Sequence, residues 1–214
     1  MSSTVKPLAL VTGVGPGTGA SVARRFAEGG YRVAMLARDA DRLAALEAEI
    51  PDSIACPCDV TDRSALERVL AQVGAPKVVV HNAVGGAFGN FRDIDPAVLQ
   101  RNFEINTMAL MHLAQLTTPA MVEAGEGALI VTGNTSAQRG KAFFSGFAPT
   151  KAAQRILAES LARDLGPKGV HVAYLVIDAV IDVPWQRLSD AHRALVIERS
   201  PGFLTRTVEA IRGV

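Results

Sequence analysis

Glycines crowd one short stretch, Thr12-Gly13-Val14-Gly15-Pro16-Gly17-Thr18-Gly19, directly after an apolar run and directly before a helical pattern. Such a stretch suits phosphate binding. Without β-carbons the backbone turns tightly and comes close to a pyrophosphate. The free N–H groups and the dipole at a helix start then favour its negative charge. Gly13, Gly15, Gly17, Thr18 and Gly19 are the candidate cradle. An isolated glycine pattern also suits a plain tight turn; the strand–loop–helix context makes this one specific. The second apolar run ends in Leu36-Ala37-Arg38. An acidic residue there would accept hydrogen bonds from a ribose 2′-hydroxyl, whereas an uncharged Ala37 beside a guanidinium suits a 2′-phosphate. The expected cofactor is NADP(H) in preference to NAD(H).

The elements that must position these residues alternate regularly. Near-continuous apolar runs predict strands over Leu8–Thr12, Arg32–Ala37, Ser53–Cys58, Lys77–His81, Ala128–Thr132 and Val170–Ile177. Amphipathic stretches between them predict helices over Thr18–Glu28, Asp41–Glu49, Asp62–Gln72, Pro96–Val122 and Phe147–Leu165. Gly29-Gly30 should end the first helix, Thr61 cap the third and Asp95-Pro96 open the fourth. Pro119 should kink or shorten the fourth, and Gly166-Pro167 stop the last. Regular β-α-β alternation implies a Rossmann-like α/β fold, a three-layer, doubly wound parallel sheet of six or seven strands in one domain over residues 1–214.

With these residues in order, the chain resembles the short-chain dehydrogenase/reductase family over about residues 5–183. Thr12-Gly13 through Gly19 is similar to its cofactor loop, and Asp59-Val60 to the pair that contacts adenine. His81-Asn82-Ala83-Val84 resembles the family's Asn-Asn-Ala-Gly segment, which makes Asn82 and Ala83 candidate cofactor contacts. Asn106 and Lys151 match the asparagine and lysine of its catalytic tetrad. The resemblance implies hydride transfer between nicotinamide and a carbonyl or alcohol carbon. In it a tyrosine moves the proton and the lysine lowers its pKa while binding the nicotinamide ribose. A serine polarises the substrate oxygen, and the asparagine holds a water in a proton relay.

Measured against that pattern, the chain departs in three places. Phe147 stands four residues before Lys151, where the resemblance implies the tyrosine, and cannot donate a proton. Asn134 stands where it implies the serine; its amide could still donate to an oxyanion, and Ser136 or Thr135 could substitute. The segment after the sixth strand reads Asp178-Ala179-Val180-Ile181-Asp182-Val183 in place of Pro-Gly-x-x-x-Thr, which puts the Asp178 carboxylate near the nicotinamide. Phe144 fills the tyrosine position of the enoyl-reductase branch, and Tyr174 is expected to pack within the sixth strand. Phe143, Phe144 and Phe147 together suggest an apolar wall and a small hydrophobic substrate. The expected function is an NADP(H)-dependent oxidoreductase with an atypical active site. The alternative is a catalytically inactive NADP(H)-binding sensor or scaffold, and isomerase or lyase chemistry on the same scaffold is weaker still.

Bulk composition excludes other classes. A chain of 214 residues with 49% hydrophobic and 20% charged residues is globular, and a net charge of +1 favours neither nucleic acid nor a membrane surface. Cys56 and Cys58 are read as two buried thiols, with no metal site around them. The leading segment reads as neither a secretory signal nor a membrane span, and the expected setting is cytoplasmic. Apolar faces on the fourth and fifth long helices suggest a homodimer. Beyond Trp185 the pattern gives two helical stretches, about 189–199 and 204–212, and no seventh strand; the substrate lid is expected to be short or absent.

Overall fold

The computed structural model describes residues 5–178. The expectations for 179–214, including the two late helices and the missing seventh strand, lie outside the described residues. Six strands form one parallel sheet: β1 (Leu8–Thr12), β2 (Arg32–Ala37), β3 (Ser53–Pro57), β4 (Val78–His81), β5 (Gly127–Asn134) and β6 (Val170–Ile177). Their order is β3-β2-β1-β4-β5-β6, and every pairing is parallel. Helices α1 (Thr18–Glu28), α2 (Ala40–Glu49), α3 (Arg63–Val73), α4 (Pro96–Phe103), α5 (Ala109–Ala124) and α6 (Ala148–Leu165) connect them. The fold is the Rossmann-like α/β architecture, with strand order reversing between β1 and β4.

The strands are apolar throughout because both faces are covered. Leu8 and Leu10 pack into one core with Leu66, Leu110, Leu113, Leu129 and Ala158. Ala9 and Val11, one residue out of phase, pack into a second core with Ala20, Ala23, Leu43 and Leu46. The period-two alternation of β1 thus divides it between two layers of helices.

Caps and breaks differ from expectation in three places. Asp62, not Thr61, caps α3 by accepting from the Ala65 N–H. Thr61 is instead held by Asp59, to which both its N–H and its hydroxyl donate. Pro119 does not end its helix: α5 runs on to Ala124 and closes at Gly125, whose φ is +67°. Burial of Leu110, Leu113, Ala114 and Met121 holds that helix through the proline. The long helix expected from Pro96 is divided by a π-helical turn, Glu104–Met108, centred on Asn106. As expected, Asp95 caps α4 with proline behind it.

Leu10 lies fully buried in the central strand. Leu10→Ala should lower unfolding free energy by about 2–5 kcal/mol, measured by urea denaturation with far-UV circular dichroism.

Candidate active site

Gly13 is where the loop after β1 meets the segment after β4. Its φ is +67°, and a β-carbon there would lie 2.5 Å from the Ala83 main chain, so only glycine fits. Across that contact the Thr12 hydroxyl accepts from the N–H groups of Asn82 and Ala83, at 3.1 and 3.2 Å. Asn82 Nδ2 donates to the Gly13 carbonyl, and its Oδ1 accepts from Thr132. Gly15, Gly17 and Thr18 complete the loop, Gly19 is buried behind it, and no side chain caps α1 at Gly17. An uncapped helix start leaves backbone N–H groups for an anion. The loop lies at the topological switch point, outside the carboxyl ends of β1 and β4.

At the rim, Arg38 is exposed just past β2. The neighbouring acid, Asp39, is already engaged: it caps α2 through the Arg42 N–H and pairs with the Arg42 guanidinium at 3.0 Å. Val60 is buried beside Asp59. Burial alone would raise the Asp59 carboxyl. Hydrogen bonds from Thr61 and an ion pair with Arg101 at 2.9 Å outweigh it and hold the carboxyl below its ordinary value.

The deep part of the site is a buried polar chain. Because Thr12 Oγ1 accepts from two N–H groups, its own proton points to His81 Nδ1, 3.0 Å away. His81 Nε2 then donates to the Asn106 carbonyl. The Asn106 carboxamide donates to the Gly85 carbonyl and to Thr150 Oγ1, both at 2.8 Å, and accepts from the Gly85 N–H. Its polar atoms are therefore all engaged by protein groups. The π-helical turn, whose wide bond runs from the Ala109 N–H to the Glu104 carbonyl, presents the Asn106 carbonyl to His81 and Gln154.

Lys151, on the first turns of α6, is 2% exposed. Its ammonium donates to the Thr132 carbonyl at 3.0 Å and to Gln154 Oε1. Burial lowers its pKa to about 8. His81 is lowered to about 4, first by burial and then by the Lys151 charge, so it is neutral at physiological pH.

Phe147 directly precedes α6 and is buried. Its ring lies against Gly86, where an added β-carbon would come within 3.1 Å of it, and against Phe88 at 5.5 Å between centroids. Phe88 also meets Phe144 edge-on, and a β-bridge from Gly89 to Phe144 ties the two segments together. Phe143 is exposed outside this wall. Asn134 caps a short turn by accepting from the Ser136 N–H, and its Nδ2 makes no hydrogen bond among the described residues. Thr135 is tied to Asp178 at 3.0 Å. Tyr174 packs against Gly133 and donates to the Lys151 carbonyl, which makes it a packed strand residue as expected. Cys56 and Cys58 are buried free thiols, both pushed up to about 11 chiefly by burial. Sequence reasoning overlooked His81, Thr150 and Gln154 as members of the site. Only Gln154 left a signal, its i,i+3 spacing from Lys151 on one helix face.

A parallel sheet with a glycine cradle at its switch point defines a dinucleotide-binding α/β protein. The chain belongs to the short chain dehydrogenase family, which it matches over residues 7–189. It is 30% identical over 181 residues to the 7alpha-hydroxysteroid dehydrogenase of Escherichia coli K12, covering 81% of this chain and 71% of that one. It superimposes on a short-chain dehydrogenase from Streptomyces avermitilis at a TM-score of 0.74 and 31% identity, covering 81% of this chain and 65% of the other. A metagenomic short-chain oxidoreductase in complex with NADP gives a TM-score of 0.77 at 28% identity, covering 91% and 92%. This chain thus spans about two thirds of the Streptomyces protein's length.

Two outcomes follow for the buried chain. Asn106→Ala would orphan the Gly85 N–H and carbonyl, and should cost about 2–4 kcal/mol of stability in urea unfolding. For His81 the folded pKa of about 4 lies below the ordinary value of about 6.5. The unfolded chain therefore binds the extra proton, and about 3 kcal/mol present above pH 6.5 should be lost as pH falls toward 4. A His81→Gln variant should flatten that limb of the stability–pH curve.

Proposed function

We propose that this chain is an NADP(H)-dependent oxidoreductase acting on the carbonyl or alcohol of a small hydrophobic substrate, with Lys151 in charge of the proton that a phenol would otherwise handle. The observation that carries this reading is the position of Lys151: buried at the sheet's carboxyl edge behind the glycine cradle, with a pKa near 8. An acid with a pKa close to the working pH combines a useful protonated fraction with a useful driving force. Phe147 stands where the family resemblance implies the tyrosine, and Asn134 where it implies the serine, its Nδ2 available as an oxyanion donor.

NADP(H), when bound, supplies the hydride. The residues present fit it. Gly13, Gly15, Gly17, Thr18 and Gly19 would hold the pyrophosphate, and Arg38 the 2′-phosphate, since Asp39 is committed to its cap. Asp59, Val60, Asn82 and Ala83 would border the adenosine, and Lys151 and Asp178 the nicotinamide ribose and amide. The wall of Phe88, Phe144 and Phe147 favours an apolar substrate. Relatives of this fold include the steroid dehydrogenase and the NADP-bound oxidoreductase named above, which supports the redox reading. In this reading the protein is a cytoplasmic homodimer joined through α5 and α6, where Ile156 is an exposed apolar residue.

Phe147 itself favours a second reading, an NADP(H)-binding protein without turnover, because no tyrosine stands four residues before Lys151.

NADPH oxidation should be followed across activated ketones, aldehydes and quinones, with Lys151→Ala as background. Turnover should fall to background in that variant and decline in the wild type as pH rises through about 8, where the acid loses its proton. Phe147→Tyr should raise the rate by about 10²–10⁴. Tight NADPH binding without turnover on any substrate would establish the second reading. Arg38→Glu should weaken NADPH binding by about tenfold or more while sparing NADH, measured by fluorescence titration.

A further inference from the structure

Lys151 and Gln154 lie one turn apart on α6, and both are buried, at 2% and 0% exposure. A buried ammonium needs acceptors for its protons. Two are supplied: the Thr132 carbonyl at 3.0 Å and Gln154 Oε1 at 2.5 Å. The other end of the same carboxamide donates from Nε2 to the Asn106 carbonyl at 2.6 Å. Chemistry determines this orientation. The ammonium is a pure donor and the carbonyl a pure acceptor, so the amide oxygen must face Lys151 and the amide nitrogen Asn106.

We propose that Gln154 is a positioning residue for Lys151: its carboxamide bridges the ammonium to the Asn106 carbonyl and fixes where the ammonium sits. The proposal rests on the reading of Lys151 as the group that meets cofactor and proton. The family resemblance implies a water held by the asparagine. Here the Asn106 carbonyl takes Gln154 and His81, while its carboxamide takes Gly85 and Thr150. Gln154 stands between lysine and asparagine, in direct hydrogen-bond contact with both.

The surroundings make the bridge measurable. From β4, the neutral His81 ring shares the Asn106 carbonyl with Gln154 and is kept neutral in part by the Lys151 charge. From β5 comes the Thr132 carbonyl, and from β6 the Tyr174 hydroxyl, which donates to the Lys151 main chain at 3.4 Å. On α6 itself Arg155 pairs with Glu159. No carboxylate is hydrogen-bonded to Lys151 among the described residues, so Gln154→Glu would introduce the first.

The test is an NMR pH titration of isotopically labelled lysine side chains, with Lys151 assigned through Lys151→Met. The wild-type midpoint should lie near 8. Gln154→Glu should raise it by about one unit or more, and Gln154→Met should lower it. One midpoint shared by all three proteins would overturn the proposal. In the wild type alone, the Gln154 side-chain amide should exchange slowly and show contacts to the Lys151 methylenes. A fast-exchanging amide without those contacts would overturn it even if a variant fails to fold. NADPH titration of the wild type is read separately: no binding would remove the cofactor reading of Lys151, while the lysine midpoints still decide the bridge.

Discussion

The hydroxyl of Thr12 is the joint on which this structure depends. It sits where strand order reverses, and it accepts the main-chain N–H groups of Asn82 and Ala83 while donating to His81. One side chain thereby ties the end of β1 to the segment that follows β4. It also sets the histidine tautomer, and with it the bond that His81 Nε2 donates to the Asn106 carbonyl. Gly13 makes the approach sterically possible, because a side chain there would collide with Ala83. The glycine loop and the buried polar chain meet at this contact.

The electrostatics of that chain are unusual in their lack of a counter-charge. Lys151 is held by a carbonyl and a carboxamide, groups that offer dipoles and not a full negative charge. Its ionisation is correspondingly weakened, and its own field helps keep His81 neutral. A cation held only by dipoles keeps its charge available to a ligand. It also lies close to losing its proton at ordinary pH. The rings of Phe88, Phe144 and Phe147 pack on one another and add no polar group.

The architecture was legible because parallel strands covered on both faces must be apolar throughout, and such runs stand out between amphipathic helices. β1, β2, β6 and α1 end where the patterns end. Local competition was harder to read. Thr61 and Asp62 are both good caps, and the outcome turned on Asp59, which captured the threonine. Pro119 is a helix breaker in isolation, yet the apolar face of α5 holds the helix together around it. The π-helical turn had no sequence signature, and the side chains that reach its Asn106 carbonyl come from distant elements.

By itself, the sequence determined the family, the parallel doubly wound sheet, the glycine cradle, and the presence of Lys151 without a tyrosine before it. These are properties of residue order and spacing, which local chemistry translates directly. Only the tertiary structure decided what surrounds Lys151: the Thr132 carbonyl, Gln154 as a bridge, and a neutral His81 reaching the same Asn106 carbonyl. Those groups come from β4, β5, the π-helical turn and α6, far apart along the chain. The acidity of a buried lysine depends on which dipoles the fold brings to it, and no reading of spacing contains that information.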